Sequence, residues 1–315
     1  MHVELAQELR LPVAQTRRPF RRHFEREGVL GYLLITPAVL YIVALVAYPF
    51  FLALWFSVSN ATVGQPTASF SGLDNFQWAI SSDIFKTALK NTFIFTIVGE
   101  GAKAIFGTLL ALLLVREFKG KRLARALILV PWAIPIAIGA IAWRWMFDST
   151  YSVINWVLVH LHLVAVPGPN WLGEINWAMA SIILVNVWRG MPFTAIIVLA
   201  GLTSIPQEIL DAAKVDGAGW WRRWNDVMVP IMAPVLFIAM LFSVVFTFTD
   251  MTVVYLLTKG GPGNNTHVLA SLAFQTGILS GALGRGAAVS LFLFPVLLGG
   301  ALWLLNLLKR QELGL

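Results

Sequence analysis

The chain has 315 residues, of which 58% are apolar and only 12% are charged, whereas an ordinary soluble domain has about 25% charged residues. This composition excludes a water-soluble globular protein, because the chain cannot cover itself with a polar surface, and the lack of cysteine excludes a disulfide scaffold and a thiolate metal site. The net charge is +7, but the basic residues lie between long apolar runs, which is typical of membrane-protein loops rather than of a nucleic-acid groove.

A basic segment, residues 1–28, opens the chain. It contains six arginines ahead of the first apolar run: Arg10, Arg17, Arg18, Arg21, Arg22 and Arg26. The apolar run that follows is too long for the core of a signal peptide and lacks a small-residue cleavage signature. We therefore predict a retained first helix.

Six apolar segments follow, and each has the length of about 20 residues that a membrane-spanning helix needs. They make up a predicted membrane domain, residues 29–310, and run from Gly31 to Ser57, Ala88 to Val115, Ala126 to Met146, Trp177 to Leu199, Ile231 to Leu257 and Arg285 to Leu308. Outside them, six basic residues precede the first segment, five follow the second, three follow the fourth and two follow the sixth, whereas the remaining loops hold two. Since this bias sets orientation, both termini are predicted to be cytoplasmic.

Several ionised side chains lie inside the predicted spans, where each costs at least about 2.5 kcal/mol on insertion scales. Glu100 and Lys103 are three residues apart on one helical face, so we predict an ion pair. Arg189 lies near the middle of the fourth span, and Asp250 lies about 10 Å inside the outer end of the fifth. Two interpretations of Arg189 and Asp250 stay open, namely a buried ion pair that fixes two helices and a polar lining for a hydroxylated substrate.

The loop of residues 204–230, between the fourth and fifth spans, has signals for two short helices. Ser204 is suited to cap the first helix, and Gly217 is suited to end it in a left-handed conformation. A second short helix is predicted from Gly219 to Val227, ahead of Pro230 and the fifth span.

The same loop contains the motif Asp211-Ala212-Ala213, Gly217, Val227-x-Val229-Pro230. It resembles the E-A-A-x3-G-x9-I-x-L-P signature of permease subunits of binding-protein-dependent ABC importers, with Asp for the usual Glu and Val for the usual Ile and Leu. Further stretches extend the resemblance over most of the chain: Tyr48-Pro49, Gly72-Leu-Asp-Asn-Phe76, Asn91-Thr92, Trp188-x-x-Met-Pro-Phe193, Ala200-Gly-Leu202 and Leu257-Thr-Lys-Gly-Gly-Pro262. Together they are similar to the sugar branch, which includes the maltose and glycerol-3-phosphate permeases.

The resemblance implies an all-α fold with six transmembrane helices, of the type I ABC importer class, in a bacterial or archaeal plasma or inner membrane. It implies a non-catalytic subunit that takes up a sugar or sugar-like solute. The implied partners are a second homologous permease subunit, two ATP-binding subunits that hold ATP and magnesium, and an external solute-binding protein. No cofactor is expected in this chain, which has no phosphate-binding G-x4-G-K-[ST] motif.

The resemblance also assigns roles to particular residues. Small and charged residues of the loop would couple the spans to the ATP-binding subunits: Asp211, Ala212, Ala213, Asp216, Gly217, Ala218 and Arg222. The segment from Pro230 to Pro262 has the same length as in the maltose permease, and this register carries sugar-contacting positions onto this chain. The implied substrate-binding residues are Arg189, Gly190, Phe193, Ser243, Thr247 and Asp250.

Three alternatives are weighed against this interpretation. An anionic polyol such as glycerol-3-phosphate is a possible substrate, since Arg189 is suited to receive phosphate. A secondary transporter would be expected to have paired half-repeats with broken helices, and no convincing repeat is visible. A membrane enzyme would need an acid–base or metal constellation, and the scattered histidines do not form one.

Overall fold

The computed structural model describes residues 27–65 and 68–312, which form helices joined by loops. Within these residues there is one isolated bridge, between Ser59 and Phe70, and no strand. The six arginines of the predicted basic segment lie outside the described residues. The described part of the chain is all-α, as predicted.

Five long apolar helical segments and one bent helix pair are long enough to cross a membrane, in the order that the sequence predicts. We call them the first to the sixth span: Leu30–Ser57, Asp83–Val115, Lys121–Ala133 with Ile136–Met146, Ile175–Ser204, Trp220–Leu257 and Leu283–Trp303. The chain divides into two compact units with the boundary between Ala53 and Leu54. The second to sixth spans all belong to the second unit.

In chain order the helices are α1 (Glu27–Ile42), α2 (Tyr48–Ser57), α3 (Asp74–Ser81), α4 (Asp83–Val115), α5 (Lys121–Ile128), α6 (Val130–Ala133), α7 (Ile136–Met146), α8 (Val153–His160), α9 (Ile175–Ser204), α10 (Gln207–Val215), α11 (Trp220–Arg223), α12 (Val229–Phe248), α13 (Thr252–Leu257), α14 (Leu269–Phe274), α15 (Leu283–Leu291) and α16 (Leu293–Glu312). Short π-helical turns at Val43–Ala47, Trp224–Met228 and Gln275–Leu279 continue α1, α11 and α14.

The third span is a bent pair of helices rather than the single helix predicted from Ala126 to Met146. Its two parts meet at an angle of 91°. Ile134 has an extended backbone, and Pro135 precedes α7. Proline lacks an N–H donor and disfavours the helical conformation of the residue before it, so the helix breaks at this position.

The fifth span begins earlier than predicted and is interrupted near its outer end. It starts at Trp220 and passes through Pro230 without a break, because a π-helical turn precedes the proline. The predicted helix from Gly219 to Val227 is present as α11 and the π-helical turn, but the prediction that it is separate from the span is wrong, since both merge into the span. Residues 249–251 then separate α12 from α13, which puts Asp250 at a helix interruption.

The second span packs against the fourth and fifth spans, and small residues allow the close approach. A Cβ on Gly107 would lie 2.9 Å from the Thr194 side chain, closer than real Cβ contacts allow. Apolar clusters form at both ends of this helix group: one includes Phe95 and Ile182, and the other includes Leu114. Polar residues lie between the two clusters along each helix, which places them in the middle of the spans.

Asn91 and Thr92, which belong to one of the stretches that resemble known permeases, form hydrogen bonds to the segment that follows the fifth span. Asn91 Nδ2 donates to the carbonyl oxygens of Asn265 and His267 at 2.7 and 3.1 Å, and the Leu269 N–H donates to Thr92 Oγ1 at 2.8 Å. Both side chains are buried. These bonds satisfy backbone groups that would otherwise be unpaired at this depth.

Candidate functional site

A cavity of about 550 Å³ lies between the second, third, fourth and fifth spans. This volume is within the range of about 300–1,000 Å³ that ligand pockets occupy. The lining residues are Lys103, Trp132, Asn186, Arg189, Gly190, Phe193, Ser243, Phe246, Thr247, Thr249 and Asp250. All six residues that the family resemblance implies as substrate-binding line this cavity.

Three buried side chains form a hydrogen-bonded triad at the cavity, which we call the Glu100–Lys103–Thr247 triad. Lys103 Nζ lies 2.8 Å from Glu100 Oε1, so the predicted ion pair is present. Lys103 Nζ also donates to Thr247 Oγ1 at 2.7 Å, and Thr247 Oγ1 donates to Glu100 Oε1 at 2.6 Å. The side chains of Lys103 and Glu100 are only 4% and 8% exposed. Burial of these two charges is tolerated because they are paired with each other and hydrogen-bonded.

Arg189 and Asp250 lie close together, but they do not form a tight pair. Arg189 Nη1 is 4.0 Å from Asp250 Oδ2, and the arginine side chain remains 38% exposed. Asp250 Oδ1 accepts a hydrogen bond from the Thr252 N–H at 2.7 Å, at the start of α13. Asn186 Nδ2 donates to Asp250 Oδ2 at 3.5 Å. The interruption of the fifth span thus orients the carboxylate, because the Thr252 N–H at the start of α13 has no partner within the helix and donates to Asp250.

Two stacked aromatic rings line part of the cavity. Phe193 of α9 stacks on Trp132 of α6, with ring centroids 6.2 Å apart and an interplanar angle of 16°. The bend of the third span brings Trp132 there, because Trp132 lies in the short helix just before the break at Pro135. Flat aromatic faces next to hydrogen-bonding groups are suited to a ring-shaped polar solute.

The predicted coupling loop is exposed at the other end of the fourth and fifth spans. Gly217 has φ of +74°, which ends α10 in the left-handed conformation, as predicted. The Gly217 and Ala218 N–H groups donate to the Lys214 and Ala213 carbonyl oxygens at 3.0 and 2.9 Å. The predicted cap by Ser204 is wrong, because its hydroxyl donates to the Gly201 carbonyl oxygen and Pro206 takes the N-cap position.

The coupling residues keep their charged and small side chains at the surface. Asp211, Ala212, Asp216, Gly217 and Arg222 are exposed, whereas Ala213 and Ala218 are half-buried. Lys214 Nζ lies 2.6 Å from Asp211 Oδ1. This hydrogen bond, with a second one from Gln207, lowers the pKa of the Asp211 carboxyl below its usual range, so the group is ionised at neutral pH.

Comparison with known proteins decides the family. Residues 103–311 match the family described as the binding-protein-dependent transport system inner membrane component. The chain belongs to this family. The trehalose/maltose transport system permease MalF of Thermococcus litoralis is 33% identical over 273 residues, which are 87% of this chain and 91% of the relative.

Other relatives and solved structures agree with this assignment. The sulfoquinovosyl glycerol transport system permease SmoG of Agrobacterium fabrum is 32% identical over 86% of this chain and 87% of its own length. The diacetylchitobiose uptake system permease DasB of Streptomyces coelicolor is 30% identical over 92% and 90%. A bacterial ABC transporter for alginate import superposes with a TM-score of 0.77 at 21% identity, covering 92% of this permease and 98% of that chain. The permease therefore has the ABC importer transmembrane fold.

The structure of the permease adds cavity residues that the sequence analysis missed. Lys103 was assigned only to an ion pair, and Asn186 and Trp132 were not considered. Asn186 lies one helical turn before Gly190, so the i, i+4 spacing could have indicated it. Its Oδ1 is buried and has no hydrogen-bond partner in the described part of the chain. The part played by Trp132 depends on the bend of the third span, which the sequence analysis did not predict.

The described residues offer no metal centre. No group of three His, Asp or Glu side chains within residues 27–65 and 68–312 is arranged to hold a metal ion. The cavity of the permease is instead built from hydrogen-bond donors and acceptors and aromatic rings.

Proposed function

We propose that this chain is the permease subunit of an ATP-driven importer and that its cavity is the passage site of a sugar or sugar-like solute. Several curated relatives of this permease carry names of sugar transport systems, for trehalose, maltose, diacetylchitobiose and sulfoquinovosyl glycerol. The observation that carries the proposal is the chemistry of the cavity.

The cavity offers the groups that a polyhydroxylated ring requires. Asp250 and Ser243 provide hydrogen-bonding oxygens, and Arg189 provides N–H donors next to them. The stacked rings of Phe193 and Trp132 provide a flat apolar face for the C–H side of a sugar ring. The cavity lies between the two apolar clusters of the spans, so a polar solute finds partners there that lipid cannot supply.

The proposed assembly contains a second homologous permease subunit, two ATP-binding subunits that hold ATP and magnesium, and an extracytoplasmic solute-binding protein. It lies in the plasma or inner membrane of a bacterium or archaeon. A structural relative of this chain is an alginate ABC transporter in complex with a periplasmic protein that holds an alginate pentasaccharide. The exposed residues Asp211, Gly217 and Arg222 support docking on an ATP-binding subunit, because small residues permit close approach and charges can pair across the contact.

The proposed mechanism is alternating access. Closure of the ATP-binding subunits on ATP moves the coupling loop, and α9 and α12, which flank the loop in the chain, carry the cavity residues Arg189 and Ser243. Movement of these helices opens the cavity to one side of the membrane at a time. The chain itself performs no covalent chemistry in this scheme.

The test is uptake by the whole transporter reconstituted in proteoliposomes, with the solute-binding protein outside and ATP inside. Radiolabelled maltose, trehalose, diacetylchitobiose and glycerol-3-phosphate form the panel. We expect ATP-dependent uptake of at least one uncharged saccharide. Uptake that needs neither ATP nor the partner subunits would favour a secondary transporter and contradict the proposal.

The second candidate substrate class is an anionic polyol. The observation that favours it is the Arg189 guanidinium, which is 38% exposed and only loosely paired, since its Nη1 is 4.0 Å from Asp250 Oδ2. In the same panel, uptake of glycerol-3-phosphate without uptake of any uncharged saccharide would select this candidate.

A further inference from the structure

We propose that Lys103 is a specificity-determining residue of the cavity, whose ammonium group donates a hydrogen bond to a hydroxyl group of an uncharged saccharide. This inference rests on the proposed function, because it takes the cavity to be the solute site. It assigns to Lys103 a role beyond that of an ion-pair partner.

Lys103 has more donors than its protein partners use. An ammonium group has three N–H donors. Glu100 Oε1 and Thr247 Oγ1 accept two of them, at 2.8 and 2.7 Å. The third has no acceptor among residues 27–65 and 68–312, although the side chain is only 4% exposed and lines the cavity. A buried donor without an acceptor is costly, so an acceptor inside the cavity is the partner that this N–H lacks.

The charge of Lys103 is balanced before any solute arrives. Glu100 contacts the ammonium directly, and Thr247 bridges the two groups. Arg189 and Asp250 form a second couple of opposite charge at the same cavity. An incoming anion would meet the Asp250 carboxylate as well as two cations, one of which Glu100 already neutralises, whereas a hydroxyl oxygen only has to accept one N–H. The arrangement therefore favours an uncharged solute with hydroxyl groups.

Gly190 determines the path of the Lys103 side chain. A Cβ on Gly190 would lie 2.7 Å from Lys103 Cε, 2.9 Å from Cδ and 3.2 Å from Nζ. Contacts this short would displace the end of the flexible lysine chain rather than the α9 backbone. A Gly190→Ala substitution thus moves the ammonium group while both charges of the ion pair are kept.

The test uses the complete reconstituted transporter and three variants. Glu100→Gln/Lys103→Met removes both charges together, so that no single charge is left buried and unpaired. Gly190→Ala displaces the ammonium group. Asp83→Asn/Lys86→Met is the matched control, because this pair has the same i, i+3 spacing on the same helix but is exposed, at 95% and 60%.

The measurement is competition between a transported parent sugar and its monodeoxy analogues, with maltose and trehalose as parents. The solute-binding protein is the same in all assays, so its own selectivity cancels when each variant is compared with the wild type. In the wild type we expect one analogue, which lacks the hydroxyl that Lys103 binds, to be taken up about 10- to 100-fold less efficiently than the parent.

In Glu100→Gln/Lys103→Met we expect the discrimination against that analogue to fall to the level set by the solute-binding protein alone, with no change for the other analogues. In Gly190→Ala we expect the discrimination against the same analogue to weaken. The control variant should keep the wild-type pattern. An unchanged pattern in Gly190→Ala, or in the double variant where it transports, overturns the role of Lys103 while uptake of the parent sugars still supports the proposed function. Failure of the wild type to take up any saccharide overturns both.

Discussion

Gly217 provides the sharpest test of whether the coupling loop docks on another subunit, because the effect of its backbone conformation can be separated from the effect of an added side chain. Its φ is +74°, and a Cβ added there would meet nothing within 4 Å in this chain. An alanine in this conformation costs about 1–2 kcal/mol, which shifts the conformational equilibrium of the end of α10 by about 5- to 30-fold. Asparagine and aspartate adopt positive φ more readily, so they cost less.

The two possible roles of Gly217 predict different rankings of its substitutions by their harm to transport. If only the backbone conformation mattered, Gly217→Ala would be the most harmful substitution, and Gly217→Asn and Gly217→Asp would be tolerated. If an ATP-binding subunit packs on this surface, every added side chain interferes. In that case Gly217→Asp abolishes transport, and Gly217→Asn lowers it at least about tenfold, a cost of about 1.4 kcal/mol in docking.

The assay is ATP-dependent uptake in proteoliposomes, with copurification of the ATP-binding subunits as the measure of assembly. Gly120→Asn is the matched control, because Gly120 also has positive φ, lies in another predicted cytoplasmic loop and has no atom within 4 Å of an added Cβ. We expect all Gly217 variants to copurify with the ATP-binding subunits, Gly217→Asp to show no uptake, and Gly217→Asn to show uptake that is at least about tenfold lower. Uptake by Gly217→Asn equal to that of Gly120→Asn would refute the docking role.

Two further predictions concern the cavity and the packing of the spans. Arg189→Met and Asp250→Asn, each at controlled expression, should alter the rate or the selectivity of uptake, and unchanged values in both would remove these residues from the site. Gly286→Ala should lower the melting temperature of the purified permease, because the new Cβ would lie 2.3 Å from the Gly277 backbone, whereas Gly101→Ala, with no atom within 4 Å of its Cβ, should not. Equal melting temperatures for the two alanine variants would contradict this account of the packing.

Local features of the sequence predicted those parts of the fold that depend on single segments. A run of about 20 apolar residues is enough to indicate a span, since the bilayer imposes the length. The break at Pro135 was missed although its signal is local, because the apolar run continues through it. The early start of the fifth span was also missed. Proline ends helices in most contexts, so the span was predicted to begin after Pro230, but a π-helical turn accommodates this proline here.

The candidate site was predicted in part. The resemblance to known permeases indicated six residues, and the structure brings all six to one cavity. The resemblance did not indicate that Lys103 also lines this cavity or that Thr247 hydrogen-bonds to both Lys103 and Glu100. These contacts join side chains 144 and 147 residues apart in the chain.

The sequence by itself determined the number and order of the spans, the left-handed turn at Gly217 and the ion pair between Glu100 and Lys103. Each of these depends on residues within one helical turn or one apolar segment. Only the tertiary structure decided that Lys103 and Thr247 of the triad, the Arg189–Asp250 couple and the stacked pair of Phe193 and Trp132 surround a single cavity. The physical reason is that helical periodicity gives the face on which a side chain lies, whereas the rotation and crossing of packed helices decide which faces meet.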